Sequence, residues 1–164
     1  MIRLAVLLLS ASLCACASQP TVAVQCPEAT ITYVGNATES GVTLGRFQII
    51  QRGGRPLRLP LFSVDREVHG NAATIWIRDA AEQDWRRFNI NLEEYAPSTA
   101  HLVVAPGEVE TFLYHGEGAF LPGAVHEGQA LSIVVRDQQG CMHRSLPFVP
   151  GAHRPDVDPR ARGQ

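Results

Sequence analysis

The chain has 164 residues, of which 45% are hydrophobic and 18% charged, with a formal net charge of −2. That length and apolar fraction suit one globular domain. All 14 basic residues are arginine. The balance is not basic, which argues against a nucleic-acid partner.

The chain opens with a signal pattern. Arg3 supplies a positive charge, Leu4 to Leu9 is an unbroken apolar run, and small residues follow from Ser10 to Ala17. That order makes a secretory signal. The charge-free stretch from Leu4 to Ala17 is about 14 residues, too short for a spanning helix of about 20. Its end, Leu13-Cys14-Ala15-Cys16, resembles the lipobox of bacterial lipoproteins: an aliphatic residue, a tolerant position, a small residue and the lipidated cysteine. Cys14 fits worse as the lipid carrier, because Leu13 would fill the small-residue position. The resemblance implies cleavage after Ala15 and acyl chains, such as palmitate, on Cys16. The competing reading is an ordinary signal peptide cut near Ala17. One acyl chain holds only marginally, so durable anchoring needs two or more, the number that lipoproteins of this type carry. Ala17 follows Cys16 where aspartate would mark retention. In a host with two membranes, the resemblance then implies the outer membrane, facing the periplasm.

Residues 16–164 would form the mature chain, about 149 residues with a balance near −3. Cys14 leaves with the signal and Cys16 takes the lipid. Cys26 and Cys141 remain as a pair in an exported chain, which predicts one disulfide. It would close a loop of roughly 115 residues and tie the start of the domain to its last strand.

Residues 16–25 read as a tether. Thr30 to Val34 alternates and is rich in β-formers, so it reads as the first strand. Gly35 to Gly41 reads as a loop. Thr43 to Arg52 is a longer strand, with Phe47 and Ile49 on one face and Leu44 and Ile50 on the other. Gly53-Gly54 ends it. Leu57 to Val64 is interrupted by Pro60, which demotes it to an edge strand or a strand with a break. Asp65 to Ala72 is a polar connection. Thr74 to Arg78 is a short strand, with Trp76 as the expected central core aromatic. Ala80 to Asp84 reads as one helical turn and Trp85 to Leu92 as a weak strand. Glu93 to Ser98 is a loop.

His101 to Val104 and Val109 to His115 are strands joined by a Pro106-Gly107 turn. Gly116 to Gly128 is a long glycine-rich loop. Leu131 to Arg136 is a strand, Asp137 to Gly140 a hairpin loop, and Cys141 to Val149 the last strand. Residues 150–164 hold proline, glycine and charge without an apolar cluster, which reads as a disordered tail. Eight or nine short strands at intervals near ten residues predict an all-β fold, an antiparallel Ig-like β-sandwich over residues 26–149.

Chemistry-bearing motifs are sparse. Cys141-Met142-His143, with a distant His115 or His126, would make a soft copper-like ligand set. The bland reading is stronger: a bridged Cys141, a packed Met142 and a His143 that is only a strand residue. The six histidines are scattered, with no HExxH spacing. Glu93-Glu94 would point to opposite faces of an extended chain, wrong for an acid–base pair. No nucleophile elbow, phosphate loop or dinucleotide fingerprint occurs. No cofactor and no enzyme activity are therefore expected. Arg52, Arg55 and Arg58 surround a tight turn that could grip a carboxylate, phosphate or lipid headgroup. Phe120 and Leu121 sit in the long loop, where binding residues tend to lie. Phe120 reads as either a partner anchor or a plug over the core.

The sequence thus points to a non-enzymatic, membrane-anchored envelope lipoprotein acting as a protein-binding or structural module. The alternatives are a periplasmic metal or small-ligand carrier and a protease-inhibitor-like domain. The Pro106-Gly107-Glu108 turn, with its upstream tryptophan, faintly resembles such inhibitors. A hydrolase is the most distant reading.

Overall fold

The structure, a computed structural model, describes residues 26–62, 66–88 and 100–151. The expected signal peptide, Cys16, the tether and the C-terminal tail beyond Gly151 lie outside the described residues, as do Glu93 and Glu94. The described chain forms nine strands: β1 Ala29–Glu39, β2 Val42–Gln51, β3 Leu57–Leu61, β4 Ala73–Asp79, β5 Arg86–Arg87, β6 Ala100–Val104, β7 Val109–Tyr114, β8 Gln129–Arg136 and β9 Met142–Arg144. Two 3-10 turns, Gly70–Ala72 and Gly116–Gly118, are the only helical pieces among the described residues. The ladders are antiparallel, in the orders β1-β2-β7, β3-β6 and β5-β4-β8-β9. The fold is all-β and sandwich-like.

Alternation along each strand puts one set of side chains inside. Ile31 and Tyr33 of β1, Phe47 and Ile49 of β2, and Phe112 of β7 face Ile75 and Ile77 of β4 and Leu131, Ile133 and Val135 of β8 in one core. The centre is aromatic. Phe47 lies 5.5 Å from Tyr33, 5.4 Å from Phe112 and 5.4 Å from Phe148, centroid to centroid. Tyr33 stacks on Phe148 at 4.5 Å. Leu44, on the opposite face of β2, packs with Ala37 and Leu113 in a small second cluster.

Several expectations are corrected. Gly35 to Gly41 is not a loop: β1 runs on to Glu39 over a bulge between Tyr33 and Gly35, and Gly35 takes φ +139°. The reversal is a tight turn at Ser40 and Gly41, both at positive φ, as two-residue hairpins demand. Trp76 is not a core residue. It shares the outer face of β4 with Thr74 and Arg78, while Ala73, Ile75 and Ile77 point in. Ala80 to Asp84 makes a turn and extended chain, not a helical turn. Met142 is not packed; it is 56% exposed. The last strand is only three residues, followed by isolated bridges from Ser145 to Ile31 and from Phe148 to Leu131. Pro60 does sit where its missing N–H costs little, in a two-stranded ladder against β6.

The β1–β2 register defines two poles. Ala29 faces Gln51 at one, and Glu39 faces Val42 at the other. The Cys26–Cys141 disulfide closes the first pole, with a Cα–Cα distance of 5.6 Å across a sequence separation of 115. Loop-closure entropy for a span of this size is on the order of 5 kcal/mol, and removal of native bridges typically costs about 2–5 kcal/mol. Reduction, or Cys141→Ser, should lower unfolding stability by that amount in a denaturant titration. Equal midpoints for oxidised and reduced chain would contradict a structural bridge.

Phe120 plugs the core from the Gly116 to Gly128 loop. Its ring stacks 6.3 Å from Phe148 and 6.2 Å from Tyr33. Gly45 and Gly116 leave it room: a Cβ on either would come within 2.4 Å of the ring. Phe120→Ala should cost about 3–5 kcal/mol of stability, the usual range for a buried aromatic. Leu121→Ala, at a side chain 51% exposed, should cost less than about 0.5 kcal/mol. Denaturant midpoints of the two variants measure the contrast.

Candidate functional site

The residues singled out in the sequence fall at opposite poles. Phe120 is 2% exposed and offers no surface to a partner, so of its two readings it has the plug's position. Leu121 projects beside it from the far pole, where Asn36 Nδ2 donates to the Phe120 carbonyl at 3.1 Å. Arg52, Arg55 and Arg58 are all exposed at the disulfide pole. Arg52 and Arg55 belong to the β2–β3 connection and Arg58 is the second residue of β3, and this turn is built rather than loose. Gln51, on the inner face of β2 and fully buried, accepts from the Gly53 N–H at 2.8 Å and donates to the Arg55 carbonyl. The Glu28 carbonyl accepts from the Arg52 and Gly53 N–H groups at 2.8 and 3.1 Å. A Cβ at Gly53 would lie 2.9 Å from the Glu28 nitrogen, so only glycine lets the strands approach this closely.

The neighbouring β8–β9 hairpin is organised by Asp137, which is 4% exposed. Its Oδ1 accepts from the Gln139 and Cys141 N–H groups at 2.8 Å each, and its Oδ2 meets His143 Nε2 at 3.1 Å. The Gln138 N–H donates to the Arg58 carbonyl at 2.9 Å, joining the two turns. This accounts for His143 as a structural partner. Cys141 is bridged to Cys26, Met142 points out, and His115 and His126 are exposed elsewhere, so the copper-like set is not assembled. Among the described residues, no group of three or more His, Cys, Asp or Glu is placed to hold a metal ion. A shallow depression of about 270 Å³ is lined by Glu39, Arg46, Arg66, Thr111, Phe112 and Leu113. That is just under the usual range for ligand pockets, about 300–1,000 Å³, and Arg66 there is tied to Glu110 at 2.7 Å.

The most distinctive surface was not named from the sequence. On the outer face of the β5-β4-β8-β9 sheet, two indoles and three guanidinium groups form a ladder. Arg87 sits 5.8 Å from the Trp76 ring, Arg144 sits 5.4 Å from both Trp76 and Trp85, and Arg78 sits 4.8 Å from Trp85. Register explains it. Trp76 faces Arg87 on one side and Ser132 on the other, and Arg144 faces Val134. To reach both rings, Arg144 must cross β8. Its aliphatic stem is the type of cover that lets an outward-facing Val134 be only 6% exposed. Each contact contributes about 0.5–1 kcal/mol at an exposed site. Among the described residues, no carboxylate pairs with Arg78, Arg87, Arg136 or Arg144; the ion pairs run Arg66–Glu110, Arg86–Asp79 and His143–Asp137. A sequence signal existed: Trp76 and Arg78 share one face of a strand, and Arg87 and Arg144 recur in neighbouring ones. Recognising it required the strand order.

No protein-family model matches the chain, and no curated protein matches it.

At the end of β4, Asp79 accepts from Gln129 Nε2 at 2.6 Å and pairs with Arg86 at 3.3 Å. The Gln129 hydrogen bond first, and the Arg86 charge after it, hold the Asp79 carboxyl below the ordinary carboxylate range despite some desolvation. A depressed folded-state pKa stabilises above the unfolded value, near 3.9, and that stabilisation is lost as pH falls through the folded value. The stability difference between parent and Asp79→Asn should therefore be constant above about pH 5 and shrink below about pH 4. Denaturant midpoints across that window measure it.

Proposed function

We propose that this chain is a lipid-anchored envelope protein whose β-sandwich-like domain is a non-enzymatic binding module, and that it meets its protein partner through the outer Trp76–Trp85 face. The lipobox resemblance at Leu13 to Cys16 supports the anchor. The observation that carries the binding reading is the ladder of Trp76, Trp85, Arg78, Arg87 and Arg144. Tryptophan and arginine dominate binding hot spots, because one side chain offers large apolar area and a directed polar edge together. An arginine stacked on an indole keeps its N–H edges free for a carboxylate. Met142 on β9 and Leu146 just after it are exposed apolar side chains. No specific observation favours the metal-carrier, small-ligand, inhibitor or hydrolase readings.

The test is site-specific photocrosslinking in intact envelopes, with the photoreactive residue at position 87. The reading predicts one reproducible protein adduct. Arg144→Glu should weaken it by about 30-fold or more, the scale of a 2 kcal/mol hot spot. Crosslinking of equal yield in the Arg144→Glu variant, or no protein adduct, would overturn this surface.

A further inference from the structure

The disulfide pole combines two features. It carries exposed arginines, and it is where the chain enters the domain. Cys26 is bridged to Cys141, and Pro27-Glu28 run directly against Arg52 and Gly53. Arg52 and Arg55 lie on that turn, Arg58 follows it at the start of β3, and Arg136 lies two residues before Gln138, whose N–H bonds the Arg58 carbonyl. Among the described residues, carboxylates at this pole are fewer. Asp137 is buried and occupied by its own hairpin and His143. Glu108 turns its Oε2 back onto the Ala105 N–H at 3.1 Å. Glu28 is exposed. Arg52 donates to the Thr30 hydroxyl at 3.2 Å and not to an acid.

We infer that this arginine-bearing pole docks on the anionic lipid headgroups of the membrane that holds Cys16, so that the domain rides the surface in one orientation. The inference rests on the lipid-anchor reading above. Cys16 and Cys26 are ten positions apart in the sequence, a reach of at most about 35 Å. The pole is where the chain coming from Cys16 enters the domain. The arginine turn is held by the buried Gln51 and by Glu28, so its guanidinium groups project from a fixed base. Arginine forks match phosphate and carboxylate oxygens. The stretch from Arg52 to Arg58 contains no aromatic residue, so it offers charge without the large apolar area that tryptophan brings to a protein interface; lipid headgroups require only charge. The mature chain is acidic overall, with a balance near −3, so an anionic surface attracts this pole and repels much of the rest. The far pole, with Leu121, then points away from the membrane. The Trp76–Trp85 face stands to one side, open to a partner.

The test uses the full chain isolated from bacterial membranes and reconstituted into two sets of vesicles, one of neutral phosphatidylcholine and one with about a third phosphatidylglycerol. Backbone amide hydrogen exchange over residues 52–58 and 136–140 reads docking, with the Leu121 loop as an internal control. Docking predicts added protection on anionic vesicles alone, none at Leu121, and its loss at high salt, where screening shortens to a few ångströms. Each arginine near an anionic surface contributes about a five-fold bias. The triple variant Arg52→Gln, Arg55→Gln, Arg58→Gln should therefore shift the docking equilibrium on the order of 100-fold and erase the difference. These exposed substitutions leave the Gln51 contacts intact, and an unchanged melting temperature checks that the variant is folded. Equal exchange on the two vesicles overturns docking, as does protection that survives in the triple variant. Protection by an added acidic polypeptide but not by anionic vesicles overturns it in favour of a protein ligand. Should the chain prove soluble and unacylated, the anchor reading fails separately. Flotation of that chain with anionic against neutral vesicles then decides docking by the same contrast.

Discussion

The packing of five aromatic rings fixes the rest of this structure. Tyr33, Phe47, Phe112, Phe120 and Phe148 come from β1, β2, β7, the long loop and the segment after β9. No two of them share a strand, so burying the rings together requires nearly the whole chain to be in place. Offset and edge-to-face pairs of this kind each contribute about 0.5–1.5 kcal/mol beyond their buried area. The two glycines that face Phe120 belong to the same constraint: Gly45 on β2 and Gly116 on the loop must lack a Cβ for the plug to close. Burial also pushes the Tyr33 phenol up in pKa, against a hydrogen bond from the Gly151 N–H. The chain is thereby tied down past its last strand.

The disulfide extends this order to the edge of the domain. Cys26 precedes β1 and Cys141 precedes β9, and neither strand ladder alone would hold those positions. Around the bridge, buried Gln51 and buried Asp137 do the same task in two adjacent hairpins: each side chain satisfies the backbone groups of a tight turn. The result is a rigid pole with exposed arginines on its surface. The outer sheet face is assembled differently. There Trp76, placed on the outer face of β4 by alternation, is covered by arginine stems and guanidinium planes, so that charge and apolar area occupy the same surface.

Most of the strand pattern was legible because period-2 alternation survives in β2, β3 and β4. The bridge was legible because only two cysteines remain once the signal is set aside. The failures have physical reasons. Gly35 and Asn36 read as turn formers, yet in β1 the glycine supplies a bulge and the strand continues. Trp76 read as core because it is large and apolar, but alternation along β4 puts Ile75 and Ile77 inward and Trp76 on the other face. The segment after Cys141 read as a long strand, but Pro147 and the bridging role of Ser145 split it into a three-residue ladder and isolated contacts. The arginine–tryptophan ladder depends on strand order, which no local pattern encodes. The arginine turn was visible as a cluster, whereas its position beside the entering chain was not.

The central claim is that this domain works at a membrane surface from a lipid on Cys16. Intact mass spectrometry of the chain isolated from a two-membrane bacterial host tests it most directly. The account predicts a mature chain beginning at Cys16, heavier than its polypeptide mass by a diacylglyceryl group and further acyl mass. A chain beginning elsewhere, with no acyl mass, would contradict it.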